Sequence, residues 1–202
     1  MSESWRDVVD LYERHALAFD GERGRTLMER SWLERFLALL PEQAEVLDIG
    51  CGSGEPLAAH LVGRGCRLTG IDSSATLIGL CRRRFPKHDW HVADMRGLAL
   101  GRKFDGLLAW DSFFHLRADD QRAMFPVFRE HAAAGAALMF TSGPAGGEAL
   151  GSYRGETLYH ASLDPQEYAD LLGAAGFDVV AYRPDDAECG GHTVWLARFA
   201  GA

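Results

Sequence analysis

The chain opens with two segments in which apolar residues recur at the spacing of an amphipathic helix. The first runs over residues 5–19 and stops at the helix-breaking pair at 20–21. The second begins at Thr26, which stands three residues before Glu29 as in a capping box, and it ends at Pro41. This pattern predicts two helices that each bury one face against the rest of the chain.

Short apolar runs alternate with helical segments through the middle of the chain. Continuous apolar runs of this length are typical of parallel strands that are buried on both faces. The helix predicted over 119–131 contains Pro126, which is expected to kink it or split it in two. The alternation predicts an α/β fold with a parallel sheet, helices on both faces and right-handed crossovers. The predicted strands cover residues 45–49, 66–71, 90–93, 104–110 and 136–141.

The last third of the chain departs from this alternation. Residues 142–163 are rich in glycine and aromatic side chains, and so long a loop in a compact domain often serves a function. A last helix is predicted from Asp164 onwards, because Asp, Pro and Glu occupy its first positions. Residues 177–182 and 192–199 are then predicted to pair as an antiparallel hairpin.

Composition narrows the class of protein. The 202 residues carry 25% charged side chains and a net charge of −8, which suits one globular domain better than a nucleic-acid binder. The four cysteines are scattered and are expected to be free thiols. No stretch is apolar enough to span a membrane, and the start shows no secretory pattern. We therefore expect a cytoplasmic single domain, 1–202, that binds neither nucleic acid nor membrane and is a monomer or a homodimer.

Candidate binding residues follow the ends of the first three predicted strands. A glycine-rich run at 48–54 follows the first strand, Asp72 the second and Asp94 the third. Ligands of such sheets bind beyond the carboxyl ends of the strands. A carboxylate at Asp72 can accept both hydroxyls of a ribose, and Asp94 can accept an adenine amino group. A nucleoside cofactor is therefore favoured, although the glycine run could also be a turn without a ligand.

Two nucleoside cofactors fit this arrangement, and the local charges separate them. A dinucleotide site needs G-x-G-x-x-G with a pyrophosphate at the helix start. Here the spacing is G-x-G-x-G, and Glu55 would repel a pyrophosphate there. Asp48 is also a poor neighbour for phosphate but a good one for the ammonium group of a methionine moiety. The charges favour a sulfonium cofactor over a dinucleotide.

The glycine-rich run closely resembles the first motif of the class I S-adenosylmethionine-dependent methyltransferases. The sequence is Val-Leu-Asp-Ile-Gly-Cys-Gly-Ser-Gly over 46–54. The segments 70–74, 93–95, 104–110 and 174–177 resemble the later motifs of the same family. The resemblance implies a Rossmann-like three-layer sandwich, a seven-stranded sheet with an antiparallel last strand, and an N-terminal helical lid over 1–41 on a core over 42–202.

The resemblance also implies roles for residues at matching positions. The glycine loop would line the methionine part, Met95 would join Asp94 at the adenine, and the carbonyl of Trp110 or Asp111 would lie near the methionine end. Tyr12 and Trp32 could reach the cofactor from the lid, or else pack on a helix face. The implied cofactor-binding residues are Tyr12, Trp32, Asp48, Gly50, Cys51, Gly52, Gly54, Asp72, Ser73, Asp94, Met95, Trp110 and Asp111.

Three residues are candidates for the chemistry of methyl transfer. His115 follows the fourth strand, beside the expected reactive end of the cofactor, although a histidine in this segment often has a structural role in the family. Tyr153 and His160 lie in the glycine-rich segment, where loop anchoring is the alternative. His192 is expected to serve packing or a turn. No metal is expected, because residues 141–143 lack the ligands that metal-dependent members use.

The sequence therefore predicts an S-adenosylmethionine-dependent methyltransferase that acts on a small molecule. A short chain with a thin lid leaves little surface for a dedicated protein-binding or RNA-binding domain. Three alternatives remain open: a non-catalytic module that binds the same cofactor, a methyltransferase of macromolecules, and an NAD-dependent oxidoreductase. The atom that receives the methyl group is not predicted.

Overall fold

The computed structural model describes Trp5 and residues 7–201 of the chain. Its helices are α1 (Val8–Arg14), α2 (Ala16–Glu22), α3 (Arg30–Leu37), α4 (Leu57–Gly63), α5 (Ala75–Arg84), α6 (Ala118–His131) and α7 (Pro165–Ala174). Its strands are β1 (Glu45–Ile49), β2 (Arg67–Asp72), β3 (Asp89–Val92), β4 (Phe104–Ala109), β5 (Ala132–Ser142), β6 (Gly147–Tyr153), β7 (Glu156–Ser162), β8 (Phe177–Asp186) and β9 (His192–Phe199).

Seven of these strands form one sheet in the order β3-β2-β1-β4-β5-β9-β8. The strands β1 to β5 pair in parallel, and β9 pairs antiparallel with both β5 and β8. An apolar cluster covers each face of the sheet, one centred on Phe113 and Phe140, the other on Leu33 and Phe36. This architecture confirms the predicted α/β sandwich with an antiparallel last strand. Among the described residues, no helix combines the length and the apolar character that crossing a bilayer requires.

The N-terminal helices differ from their predicted bounds. The single helix expected over 5–19 is divided at His15 into α1 and α2, and α2 continues through the predicted breaker at 20–21. The capping box at Thr26 is also wrong, because α3 begins only at Arg30 and has no side-chain cap. The Glu29 carboxylate, which the box would have used, instead accepts a hydrogen bond from Arg23 at 2.6 Å. We call α1 and α2 the lid helices.

The predicted long loop over 142–163 is a β-hairpin. The strands β6 and β7 form a separate two-stranded sheet, joined by a turn in which Arg154 and Gly155 both have positive φ. Two consecutive left-handed residues match the right-handed twist of a hairpin. An apolar cluster that includes Leu11 and Tyr159 packs the hairpin against α1. The hairpin therefore belongs with the lid helices.

Two further elements differ from the sequence prediction. The helix α6 is a single element of 14 residues with Pro126 inside it, so the predicted split does not occur. Its buried face, which includes Phe125 and Phe128, holds the helix together across the missing backbone hydrogen bond. The strand β5 begins at Ala132, four residues earlier than predicted.

Candidate functional site

A main cavity of about 380 Å³ opens beyond the carboxyl ends of β1, β2 and β4, under the lid helices. Its size is within the range of small-molecule sites, about 300–1,000 Å³. A small cavity of about 60 Å³ adjoins it beneath the glycine-rich loop. Gly50, Gly52 and Asp111 line both cavities, so they mark the boundary between the two.

The glycine-rich loop requires glycine for two separate reasons. Gly50, Gly52 and Gly54 have φ of 77°, 55° and 81°, a region that side chains with a Cβ disfavour. A Cβ on Gly50 would also lie 2.2 Å from the Cβ of Ser112. Ser112 is fixed there because its hydroxyl donates to the Ile49 carbonyl at 2.6 Å. The loop thus brings bare backbone to the cavity boundary.

Asp72, at the end of β2, organises the rim of the main cavity. Its two carboxylate oxygens accept the backbone N–H groups of Gly52 at 2.9 Å and Ser74 at 2.8 Å. Ser74 caps α5 by accepting the N–H of Leu77. Burial raises the pKa of Asp72, and the two N–H donors oppose that shift. Ser73 also lines the main cavity.

Asp48 is 3% exposed and lines the small cavity with Cys51, Gly54 and Trp110. Burial, and secondarily the charge of Asp72, raise the pKa of Asp48 to about 7. The indole Nε1 of Trp110 is buried and has no hydrogen-bond partner among the described residues. A small cavity lined by a poorly solvated carboxyl group suits the ammonium group of an amino-acid moiety better than an apolar group.

Asp94 and Met95 also line the main cavity. Asp94 is held by Arg96, whose guanidinium donates to it at 2.6 and 3.0 Å. Burial raises the pKa of Asp94, but the hydrogen bonds from Arg96 outweigh it and leave the pKa below its ordinary value. Asp94 is therefore an ionised acceptor that an adenine amino group would share with Arg96.

The two aromatic residues predicted from the lid have different positions. Tyr12 lines the main cavity. Trp32 is 2% exposed, packs in the cluster beneath the sheet and is outside both sets of lining residues. Its indole donates to Asp186 at 2.8 Å. Trp32 therefore packs on a helix face, which was the alternative to the predicted cofactor contact.

Tyr12 and His115 form a hydrogen-bonded chain at the wall of the main cavity. His115 Nδ1 lies 2.9 Å from the Tyr159 carbonyl, which only accepts, so Nδ1 carries the proton. Nε2 then accepts the Tyr12 hydroxyl at 3.1 Å. Burial lowers the pKa of His115 to about 4, and burial followed by the charges of Asp111 and Asp72 raises that of Tyr12. Both groups are neutral at pH 7.

The other two predicted catalytic residues lie on different strands of the hairpin, and His160 but not Tyr153 lines the main cavity. His160 lines the main cavity, with its ring centroid 4.9 Å from that of His115 and 5.3 Å from that of Phe114. Burial lowers the pKa of His160. Tyr153 instead donates its hydroxyl to Glu22 at 2.9 Å and is outside the residues that line either cavity. The structure thus favours the anchoring alternative for Tyr153.

Several residues near the cavities were missed by the sequence analysis. Arg23 and Phe19 line both cavities, and Arg23 is held by the fully buried Glu29. Glu13 joins α1 to α5, because it accepts the hydroxyl of Thr76 at 2.7 Å and that of Ser74. Phe19 and Glu13 belong to the lid helices and Arg23 directly follows α2, a part of the chain in which no motif marks them.

His192 and Asp111 form an ion pair at the floor of the main cavity. His192 Nε2 lies 3.0 Å and 3.2 Å from the two carboxylate oxygens of Asp111, and Nδ1 lies 2.6 Å from the Cys189 carbonyl. The hydrogen bond to Asp111 raises the pKa of His192. His192 therefore makes the turn hydrogen bond that the sequence analysis expected and also faces the cavity, which it did not expect.

Comparison with known proteins places the core of the chain in a domain family. Residues 46–135 match the methyltransferase domain. A 77-residue segment is 36% identical to the dTDP-3-amino-3,6-dideoxy-alpha-D-glucopyranose N,N-dimethyltransferase of Streptomyces fradiae, covering 38% of this chain and 30% of that protein. A 101-residue segment is 34% identical to trans-aconitate 2-methyltransferase of Azoarcus sp. (strain BH72), covering 48% and 37%. The matched part is thus well under half the length of these relatives.

The fold is also similar to solved structures along most of the chain. The S-adenosylmethionine-bound amino pentose methyltransferase from Micromonospora echinaspora superposes with a TM-score of 0.71 and 19% sequence identity. The alignment covers 92% of this chain and 95% of that one. At this identity the similarity establishes the fold. It confirms the Rossmann-like architecture that the glycine-rich motif implied.

Proposed function

We propose that this chain, whose residues 46–135 match the methyltransferase domain, is a class I S-adenosylmethionine-dependent methyltransferase that transfers a methyl group from S-adenosylmethionine to a small-molecule acceptor. The observation that carries the proposal is that two neighbouring cavities share Gly50 and Gly52 of the glycine loop in their linings. One offers polar groups for an amino-acid moiety, and the other offers Asp72 and Asp94 for a nucleoside. The boundary between them is where a sulfonium would meet an acceptor.

The residues present suit each part of S-adenosylmethionine. Asp48 would pair with the ammonium group, and the guanidinium of Arg23 would pair with the carboxylate, since both line the small cavity. Asp72 would accept the ribose hydroxyls while it holds the loop and the start of α5. Asp94 and Met95 would contact the adenine. Cys51, Gly54 and Ser73 line the cavities and would contact the cofactor there. All of these contacts stay predictions.

The acceptor would occupy the part of the main cavity bordered by Tyr12, Phe114, His115 and His160. The cofactor supplies a methyl group already activated by a positive sulfur, so alignment and exclusion of water can provide much of the rate. The Tyr12–His115 chain presents a neutral, rigid wall that would orient the acceptor. Because His115 uses both ring nitrogens within the protein, we assign it positioning of Tyr12 rather than proton removal. His160, which also lines the main cavity, remains the candidate base.

A small-molecule acceptor is supported by the size of the main cavity and by relatives with small acceptors in their names. Those names include amino sugars and trans-aconitate, so they do not agree on the atom that is methylated. A cytoplasmic single-domain protein, monomeric or dimeric and without nucleic-acid binding, remains part of the proposal.

Thermal unfolding with S-adenosylmethionine, S-adenosylhomocysteine and NAD tests the proposed cofactor. A ligand at 100 times its Kd adds about 2.7 kcal/mol to the free energy of unfolding, which should raise the Tm by about 5 to 10 °C. We expect this rise with the first two ligands and none with NAD. A rise with NAD alone would favour the oxidoreductase alternative. Cofactor binding without turnover of any acceptor, small or macromolecular, would favour a binding module.

Binding of S-adenosylhomocysteine should release a proton below neutral pH. Free Asp48 has a raised pKa of about 7, so it is mostly protonated at about pH 6, and a bound ammonium group would ionise it. Affinity should therefore rise with pH up to about 7 and level off above it. Calorimetry in two buffers of different ionisation enthalpy should give close to one proton released at about pH 6 and almost none at about pH 8. Asp48→Asn should abolish the release; buffer-independent heats in the unmodified protein would contradict the assignment.

A further inference from the structure

His192 is positively charged by geometry alone. Each of its ring nitrogens lies within hydrogen-bond distance of oxygens that only accept, the Cys189 carbonyl on one side and the Asp111 carboxylate on the other. Only an imidazolium has two N–H donors to satisfy both. The cavity floor therefore carries a cation and an anion in contact, whereas His115 and Tyr12 opposite them are neutral.

Asp111 is held rigidly at the boundary of the two cavities. Its backbone has a φ of 49°, and its N–H donates to the Thr141 hydroxyl at 2.9 Å. His192 contacts both carboxylate oxygens and the Thr141 hydroxyl donates to Oδ1 at 3.4 Å, yet the Asp111 side chain keeps a third of its surface exposed. A carboxylate accepts about four hydrogen bonds, so Asp111, which lines both cavities, retains a free acceptor site.

We propose that Asp111, oriented by the His192 imidazolium, accepts the N–H of an amine acceptor at the point of methyl transfer. The inference rests on the proposed function. As the nitrogen lone pair forms the new N–CH₃ bond, the S–CH₃ bond breaks and its electron pair stays on sulfur, leaving a neutral thioether. The positive charge moves to nitrogen, where the Asp111 carboxylate stabilises it. The proton then leaves to Asp111 and to solvent.

His192 is a positioning residue in this arrangement, because it acts through Asp111. It restricts the side-chain rotamers of the carboxylate by contacting both of its oxygens. Its positive charge also offsets part of the negative charge of Asp111. The pair therefore attracts a nitrogen cation through the contact with Asp111 rather than through a net charge. Tyr12, His115 and His160 are neutral, and of the carboxylates that line the main cavity Asp111 is the one that also lines the small cavity.

Sinefungin tests the arrangement without knowledge of the acceptor. It carries an amine where S-adenosylmethionine carries the transferable methyl group, while S-adenosylhomocysteine has nothing at that position. The Kd of each compound would be measured by calorimetry for the unmodified protein, Asp111→Asn and His192→Gln. Asn tolerates positive φ, so the backbone at position 111 can be kept. The matched controls are Asp178→Asn and His91→Gln, whose side chains are exposed on the edge strands β8 and β3.

We expect Asp111→Asn to weaken sinefungin by about tenfold or more and S-adenosylhomocysteine by less than about threefold, because one charge-assisted contact is lost. His192→Gln should reduce the same selectivity less strongly, and the controls should change neither Kd. Equal weakening of both compounds by Asp111→Asn would place Asp111 at the methionine end and overturn the proposal. If the ratio of the two Kd values were unchanged in both variants, the proposal would also be overturned. If that ratio changed only in Asp111→Asn, His192 would have no positioning role.

Failure of the proposed function would look different. If the unmodified protein binds neither compound, the cofactor assignment is wrong, and the role proposed for Asp111 is wrong as well. Thermal unfolding of each variant without ligand shows whether it is folded. Should Asp111→Asn not fold, His192→Gln tests the same selectivity by itself, since it leaves the strained backbone at 111 unchanged.

Discussion

Asp72→Asn is expected to weaken S-adenosylhomocysteine binding by at least about 100-fold. The Asp72 carboxylate fixes the glycine loop through Gly52 and the start of α5 through Ser74, and it would also accept two ribose hydroxyls. Hydrogen bonds to a charged group are each worth about 1.5–3 kcal/mol. The amide keeps the shape of the side chain but offers one oxygen in place of two, and a donor N–H₂ would face the Gly52 or Ser74 N–H.

Calorimetric titration of S-adenosylhomocysteine measures this loss directly. Asp178→Asn makes the same chemical change at an exposed position of β8 and should leave the Kd unchanged. Thermal unfolding without ligand separates loss of binding from loss of the fold. If Asp72→Asn changed the Kd by less than about threefold while remaining folded, Asp72 would be a loop-supporting residue and the ribose would lie elsewhere.

Gly50→Ala is expected to lower the free energy of unfolding by about 3 kcal/mol. A Cβ at φ of 77° costs about 1–2 kcal/mol by itself. It would also lie 2.2 Å from the Cβ of Ser112, so Ser112 and its hydrogen bond to Ile49 must shift. Overpacking of this kind costs about 1–3 kcal/mol more. Cofactor binding should fall as well, because the displaced loop lines both cavities.

Gly65→Ala isolates the steric part of this effect. Gly65 has a similar φ of 87°, but nothing lies within 4 Å of a Cβ placed there. Urea unfolding of both variants should show the conformational cost alone for Gly65→Ala and a clearly larger loss for Gly50→Ala. Equal losses would mean that the loop relaxes away from Ser112 at little cost. The predicted dependence of cofactor binding on bare backbone at position 50 would then be wrong.

The sequence was most informative where function and local geometry coincide. Gly50 and Asp72 follow strand ends, and the chemistry that a strand-to-helix turn needs is visible within a few residues of each. The sheet was predictable for the same reason, since buried parallel strands give continuous apolar runs that differ from helices. The number of strands came from the resemblance to a family, and the strand order was not predicted, because local pattern contains no record of which strands are neighbours.

The sequence was least informative where a contact joins distant parts of the chain. Tyr12 and Trp32 both lie on apolar helix faces, and their positions differ because Trp32 finds Asp186 far along the chain. The partner of His192 is Asp111, at the end of a different strand. The hairpin was mistaken for a loop because its glycines and exposed residues conceal the alternation of β6.

The hairpin gives the two halves of the site different freedom to vary. The strands β6 and β7 pair with each other, and the hairpin supports the Tyr12–His115 wall through the Tyr159 carbonyl. The glycine loop and Asp72 lie at the ends of β1 and β2, which are fixed by the central sheet. Exchange of hairpin residues can therefore reshape the wall while the glycine loop keeps its hydrogen bond to Asp72. Related proteins with this fold can therefore be expected to differ more in their acceptors, which the wall would contact, than in their methyl donor, which the glycine loop would hold.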